Sequence, residues 1–223
     1  TQPARLTLWR TDGTHWWSTP IDDPDSNVFH KAKAWRGGIL TLGAESAKIK
    51  HWTRQGDAWS AKVLWEKSWG GKFDRMRDIE AADVTGDGKE DLVVATHDMG
   101  VVAVGTEGED GTWTFQELGE QPDTFIHEIE IGDVDGDGVA EFYATPSGRN
   151  QSSGASQAGG VARFDFTDGA FVRSEVVQWD STHAKEILVA DVDGDGTDEL
   201  LAVREAETSG KGKAARITTP VQV

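Results

Sequence analysis

The chain has 223 residues, no cysteine and a net charge of −17 at pH 7. It is long enough to bury a hydrophobic core without disulfides, and the lack of cysteine excludes thiol chemistry and cysteine-ligated zinc. The acidic balance argues against nucleic acid or an anionic membrane as a partner. No apolar run approaches the ~20 residues needed to span a bilayer, so no membrane insertion is expected.

The N-terminal 66 residues have a strand rhythm without any acidic loop. Residues 5–10 and 15–20 flank a Thr-Asp-Gly sequence, which is typical of hairpin turns. Four further segments, residues 30–35, 38–42, 48–52 and 59–65, are predicted to be strands. This region is therefore predicted to contain a two-stranded hairpin followed by a four-stranded antiparallel unit.

Eight of the ten tryptophans lie between Trp9 and Trp69. They are expected to fill the core where acidic loops are absent. The alternative is that some of them, such as Trp16, Trp17 or Trp35, form stacking platforms for sugar rings. Adjacent residues of a strand point to opposite faces, so at most one of Trp16 and Trp17 is expected in the core.

One nine-residue pattern then occurs three times, beginning at Asp83, Asp133 and Asp191. Each copy has oxygen-bearing side chains at positions 1, 3, 5 and 9. Each also has glycine at position 6, which permits a sharp turn. Ca²⁺ takes six to eight oxygen ligands, and such a loop can supply them if a main-chain carbonyl at position 7 joins the side chains. The pattern predicts three sites for a hard divalent cation.

The EF-hand shares the first half of this pattern. It requires a bidentate glutamate at position 12 and a helix on each side of the loop. Position 12 is occupied here by Val94, Ala144 and Ala202, which cannot close such a site. The flanking segments are short apolar runs typical of strands. The unit is therefore interpreted as strand, cation loop, strand.

The loops begin 50 and 58 residues apart, and strand-like segments follow each of them. A repeat of ~40–50 residues with four strands is typical of propeller blades. The last repeat has three predicted strands, and its third covers residues 214–218. The predicted strands are residues 78–82, 92–96, 101–104 and 113–118, then 128–131, 142–145, 160–164 and 171–177, then 186–190, 200–203 and 214–218.

Over about residues 75–204 the unit resembles the FG-GAP/VCBS repeat of calcium-binding β-propellers, such as integrin α-subunit heads and some fungal and bacterial lectins. The resemblance implies an all-β fold: a small β-propeller of four-stranded antiparallel blades. Four to five blades are visible, and calcium loops join the first and second strands of three of them. About three Ca²⁺ are implied. The implied ligands are Asp83, Thr85, Asp87, Lys89 and Asp91, then Asp133, Asp135, Asp137, Val139 and Glu141, then Asp191, Asp193, Asp195, Thr197 and Glu199.

The resemblance also divides the chain, with residues 1–223 as a single β-propeller domain. Residues 1–27 would be a half-blade hairpin involved in ring closure, and residues 28–66 a blade without a metal loop. The calcium-loop blades would be residues 67–120, 121–178 and 179–223. Four blades, five blades, or a slice of a propeller whose other blades lie on another chain are all open. In the first loop Thr85 replaces an acid, so that site carries less charge.

Alignment of the repeats reveals a second set of polar residues near the ends of the innermost strands. Basic groups interleaved with histidine would suit an anionic or hydroxyl-rich ligand, or a transition metal if several histidines converge. The alternative is that they pair with the neighbouring acids Asp78, Glu128 and Glu186 and hold adjacent blades in register. The candidate ligand-binding residues are Arg75, Arg77, His97, His127, Arg149, His183 and Lys185.

The predicted function is that of a non-catalytic, calcium-stabilised binding module for carbohydrate or protein, and no catalytic residue is assigned. Because calcium is plentiful outside cells, the expected location is secreted, periplasmic or cell-surface. Three bound Ca²⁺ would add six positive charges and change the net charge from −17 to −11. The alternative is a lyase or hydrolase that acts on polysaccharide through the Arg/His/Lys cluster. Propellers host both kinds of function.

Overall fold

A computed structural model describes residues 2–70, 74–97, 99–119, 121, 123–148, 157–209 and 216–222. These residues form eighteen β-strands and no helix. The strands assemble into three four-stranded antiparallel sheets and three two-stranded ones. The predicted all-β class with four-stranded antiparallel blades is therefore confirmed. The chain divides into two compact units, Thr1–Met76 and Arg77–Val223.

The first unit contains a hairpin and one four-stranded sheet, in which each strand pairs with the next one along the chain. All six strands predicted for this region are present, and each is longer than predicted. The hairpin consists of β1 (Ala4–Thr11) and β2 (Trp16–Asp23). The sheet consists of β3 (Phe29–Trp35), β4 (Gly38–Gly43), β5 (Ala47–Gln55) and β6 (Ala58–Lys67).

The interior of the first unit combines apolar residues with one buried ion pair. Leu40, Leu42 and Ile49 are fully buried. The Lys50 ammonium on β5 lies 2.7 Å from the Asp23 carboxylate at the end of β2. Asp23 is almost completely buried, and an isolated buried carboxylate would be costly, so Lys50 is the cation that allows it to stay inside. This ion pair connects the hairpin to the sheet.

The second unit begins with two consecutive four-stranded sheets, again with each strand paired to the next. The first sheet contains β7 (Met76–Ala82), β8 (Asp91–Thr96), β9 (Val102–Glu107) and β10 (Trp113–Glu117). The second contains β11 (Thr124–Gly132), β12 (Glu141–Gly148), β13 (Gly159–Thr167) and β14 (Ala170–Trp179). All eight strands were predicted from the sequence.

The C-terminal strands differ from the prediction. β15 (Ala184–Ala190) pairs with β16 (Glu199–Arg204), as expected. The predicted third strand overlaps β18 (Arg216–Thr219), but β18 pairs with the unpredicted β17 (Glu207–Ser209) in a separate sheet. The polar sequence Glu-Thr-Ser of β17 has no apolar alternation, so periodicity could not reveal it.

The core of the second unit lies between stacked sheets. Phe142 and Ala144 on β12 pack in a cluster with residues of the β7–β10 sheet, while Tyr143 packs with β15 residues. Alternate residues of a strand face opposite sides, so β12 is covered on both faces. Gly132 allows the close approach of β15, because a Cβ there would lie 2.2 Å from the Val189 side chain. Such face-to-face stacking of four-stranded meanders is the packing of propeller blades.

Candidate metal centres and histidine cluster

The three acidic loops fold alike, and each joins the first two strands of its sheet. Position 6 was predicted to need glycine, and the structure shows that position 4 does as well. All six glycines have φ between 70° and 95°, a region that strains other residues. They are Gly86, Gly88, Gly136, Gly138, Gly194 and Gly196.

Main-chain amides of each loop orient its aspartates. The position 6 amide donates to the position 1 carboxylate, at 2.8 Å for Asp83, 2.8 Å for Asp133 and 2.9 Å for Asp191. The position 7 amide donates to the position 5 carboxylate at 2.8–2.9 Å in all three loops. Each loop is therefore wrapped around its own acids. Carboxylate oxygens have several lone pairs, so these bonds leave capacity for a cation.

In two of the loops the acids converge. Each member of a set offers one oxygen within 4.8 Å of the others. At such separations the like charges repel, and a hard dication that takes carboxylate ligands would relieve the repulsion. The donor set therefore fits Ca²⁺. The sets are Asp133, Asp135, Asp137 and Glu141 in the second loop, and Asp191, Asp193 and Glu199 in the third.

The first loop, in which Thr85 replaces an acid, differs from the other two. Among the described residues it does not bring three acids together in this way. Instead, the Thr85 hydroxyl donates a hydrogen bond to Asp91 at 3.0 Å. Asp91 and Glu141, at position 9 of the first and second loops, are buried, and burial raises the pKa of both carboxyls. The closing acid is thus set deeper than the half-buried acid at position 1 and the exposed acid at position 5 of each of these two loops.

The family comparison covers these two loops. Residues 83–144, from the first acid of the first loop into the strand after the second, match the model of the FG-GAP-like repeat. This segment is an FG-GAP-like repeat. The strands on both sides of each loop agree with that assignment and exclude the EF-hand. No curated protein matches the chain. The described residues include no helix that is long and apolar enough to cross a membrane.

An arginine that was not predicted, Arg163, contacts the acids of the second loop of the FG-GAP-like repeat. Arg163 on β13 donates hydrogen bonds to Asp135, to Asp165, and to Glu141 at 3.1 Å. The bond from Arg163 keeps the pKa of Asp135 below its usual value. Tyr143 also donates to Glu141, at 3.0 Å. Arg163 lies near the loop because β13 pairs with β12. No spacing within the loop reveals that pairing.

The third loop contacts the second. The Asp198 carboxylate, at position 8 of the third loop, accepts a hydrogen bond from the Asp133 amide at 3.1 Å. Gly136 of the second loop also lies next to Thr197, with its ideal Cβ position 3.8 Å from the threonine methyl. Neighbouring loops are therefore in direct contact, so changes in one can reach the next.

A separate group, which we call the histidine cluster, comprises Arg77, His97, His127, His183 and Lys185 in the second unit. His127 lies beside His183, with ring centroids 5.8 Å apart. His97 packs on Phe125, which in turn contacts His127. Lys185 Nζ lies 3.3 Å from His127 Nε2. Five of the seven predicted ligand-binding residues thus come together, and Arg77 acts electrostatically on His127.

Glu205, an acid that is not one of the candidate ligand-binding residues, lies beside the cluster. Its carboxylate lies 3.5 Å from the Lys185 ammonium and 3.7 Å from His183 Nδ1. His183 is 3% exposed, and neither of its ring nitrogens has a hydrogen-bond partner among the described residues. Burial and Lys185 lower the pKa of His183, so the imidazole is held neutral. The cluster combines a buried, unsatisfied imidazole with an ion pair at its edge.

The other two predicted residues lie elsewhere. Arg75 belongs to the first unit, where its guanidinium lies 3.3 Å from His30 Nε2. Arg149 lies outside the described residues.

Asp78, which alignment had placed among the candidate pairing acids, connects two blades through main-chain amides. It is 1% exposed. One carboxylate oxygen accepts the Ile79 amide at 2.8 Å, and the other accepts the Ile129 amide of β11 at 2.9 Å. A buried carboxylate with two such bonds holds β7 to β11.

We expect the His127→Gln variant to be less sensitive to acid than the wild type. Burial, followed by Lys185, Arg77, His183 and His97, lowers the pKa of His127 from 6.5 to about 3. Between these values the unfolded chain binds a proton that the folded chain does not, so stability falls as the pH falls from 6.5 towards 3. The difference should reach about 2–4 kcal/mol in the free energy of unfolding.

Urea unfolding at a series of pH values, with EGTA present throughout, would measure this. His15→Gln, at an exposed hairpin position, is the matched control and should follow the wild type. Parallel curves for the wild type and His127→Gln would contradict the prediction.

The tryptophans divide between core and surface. Trp35 and Trp52 are buried in the first unit. Trp9, Trp16 and Trp17 on the hairpin are 63%, 68% and 47% exposed, so neither Trp16 nor Trp17 is in the core. Trp9 pairs with Ser18 and Trp16 with Thr11, which places Trp9 and Trp16 on one face of the hairpin and Trp17 on the other.

Proposed function

We propose that the protein is a calcium-stabilised, extracellular and non-catalytic module that binds carbohydrate or protein. The convergence of four carboxylates in the second loop carries this proposal. FG-GAP-like repeats occur in binding modules built from such blades, which fits the four-stranded sheets described above. The expected location follows from the ion, since modules with calcium affinities in the millimolar range work where calcium is abundant.

The ions would be structural. Each would neutralise acids that otherwise repel one another at the connection between two strands of a blade. The side chains that would hold the ions are those at positions 1, 3, 5 and 9, with the main chain of position 7 completing the set. Binding to the folded state alone would then stabilise the fold through mass action.

Asp193→Asn is expected to weaken one calcium site by about tenfold or more and to leave the others in place. Asp193, at position 3 of the third loop, is one of the three acids that converge there. Its replacement removes one charge with little change in size. Titration calorimetry should then show that one site per chain binds calcium more weakly than in the wild type. Asp57→Asn, at an exposed position in the first unit, should bind like the wild type. Equal stoichiometry and affinity for Asp193→Asn and the wild type would refute the assignment.

The exposed tryptophans favour carbohydrate as the ligand class. Trp9 and Trp16 present two aromatic rings to solvent on one face of the hairpin, and aromatic faces stack on sugar rings. Exposed aromatic pairs of this kind are otherwise costly to keep in water. The histidine cluster in the other unit is a second candidate site, although His127 and His183 are buried.

A glycan array in calcium tests the ligand class. We expect binding that Trp16→Ala lowers by about tenfold or more and that Val172→Ala, an exposed apolar position in the second unit, leaves unchanged. Binding that persists in Trp16→Ala but is lost in His183→Ala would transfer the ligand site to the histidine cluster. An array without any bound glycan would exclude carbohydrate and leave a protein ligand.

A further inference from the structure

The three loops differ in what lies opposite them on the third strand of their sheets. Tyr143 on β12 lies two residues after the closing acid of the second loop, and it pairs with Arg163 on β13. The equivalent residue of the first loop, Val93, pairs with Val104 on β9. The third loop joins β15 to β16, whose sheet has only these two strands among the described residues. In the described part of the chain, only the second loop has an arginine at this position.

This arginine reaches two of the carboxylates that a metal ion at the second loop would need. Its guanidinium donates to Asp135 at position 3 and to Glu141 at position 9. These two acids belong to the converging set of the second loop. A guanidinium and a divalent ion bound by the same two carboxylates would lie close together, and their positive charges would repel, so the presence of one weakens the binding of the other.

Strand β13 also provides another carboxylate partner for Arg163. Asp165 lies two residues further along β13, on the same side of the strand, and already accepts a hydrogen bond from Arg163 Nε. Asp165 is not one of the nine loop positions. The guanidinium can therefore release Asp135 and Glu141 and remain paired with Asp165.

We propose that Arg163 is an internal competitor of the metal ion at the second loop. It neutralises Asp135 and Glu141 until a divalent ion displaces it onto Asp165. The second loop, although it has four convergent acids, consequently binds calcium more weakly than its donor set alone would allow. This rests on the proposed function, because it presumes that the loops bind calcium.

The test compares Arg163→Gln with the wild type by site-resolved NMR titration with Ca²⁺. The reporters are the amides of Gly88, Gly138 and Gly196, each of which donates to the first aspartate of its own loop. We expect the Gly138 amide to titrate at a calcium concentration about tenfold or more lower in Arg163→Gln. Gly88 should titrate as in the wild type, and the shift at Gly196 should be smaller than that at Gly138.

Two further variants sharpen the result. Arg173→Gln removes the same charge from the neighbouring strand β14, without any described contact with the loop, and should titrate like the wild type. Arg163→Lys keeps the charge but loses the planar fork that reaches two carboxylates, so it should fall between Arg163→Gln and the wild type. If Arg163→Gln folds only in calcium, Arg163→Lys replaces it in the titration. In that case calcium should also be released more slowly from the second loop of Arg163→Gln than from that of the wild type.

The outcomes distinguish failure of the proposed competition between Arg163 and calcium from failure of the loops to bind calcium at all. Absence of any calcium-dependent shift at all three glycines would overturn the proposed function. Calcium binding at all three glycines with an unchanged or weaker titration at Gly138 in Arg163→Gln would overturn the competition alone. A tighter Gly138 titration, or a site at Gly138 that exists only in the variant, would support it.

Discussion

Removal of calcium is expected to lower the melting temperature by about 15–30 °C. Three sites that are each held at about one hundred times their dissociation constant would contribute about 8 kcal/mol to the folded state. For a chain of this size each kcal/mol shifts the melting temperature by about 2–4 °C. Without the ions, the converging acids of the second and third loops repel one another. Thermal unfolding followed by circular dichroism in calcium and in excess EGTA measures the shift.

The loss should be reversed by added Ca²⁺ and should be smaller in Asp193→Asn, which has one weakened site. Raising the ionic strength with NaCl is the control, because it screens surface charges without supplying ligands for the loops. Superimposable melting curves in calcium and in EGTA would show that the acids do not bind calcium in the folded protein.

Asp78→Ala is expected to destabilise the second unit by about 2–6 kcal/mol. The substitution leaves the amides of Ile79 and Ile129 without their acceptor in the interior, and each buried unsatisfied donor costs about 1–3 kcal/mol. The effect should appear in calcium as well as in EGTA, since Asp78 is not part of a loop. Urea unfolding in calcium, with the two units monitored separately, would measure it.

Two variants serve as controls for Asp78. Asp78→Asn retains a side-chain oxygen that can accept one of the two amides, so it should lose roughly half as much stability. Glu186→Ala changes the equivalent position of β15, which is exposed, and should have little effect. A loss of stability in Glu186→Ala as large as that in Asp78→Ala would show that Asp78 does not connect the two blades as described.

The strands and the loops were predictable because their signals are local. Position 12 of each loop lacks the glutamate of an EF-hand, and the apolar runs on both sides are short, so the strand–loop–strand unit followed from the sequence. Glycine at position 6 marked the turn, and the structure confirms its positive φ in all three loops. β17 was missed because it is three polar residues long, and its partner β18 had been assigned to another sheet.

The candidate sites were only partly predictable, because their decisive contacts join residues far apart in the chain. His127 and His183 are 56 positions apart, and their proximity depends on the stacking of β11 against β15. Asp78 was noticed as an acid near basic residues, yet its partners are main-chain amides, which have no signature in a sequence. Arg75 aligned with the cluster residues but belongs to the first unit.

The sequence by itself determined the all-β class, the position of the three loops and the acids that could hold an ion. Those features depend on residue type and on spacing over fewer than ten residues, which side-chain alternation and turn chemistry translate directly into local structure. Only the tertiary structure decided that Arg163 lies among the acids of the second loop, that Asp198 reaches Asp133, and that Trp16 faces solvent. Such contacts depend on strand register and on the packing of sheets, and a one-residue change in register would reverse which side chains meet.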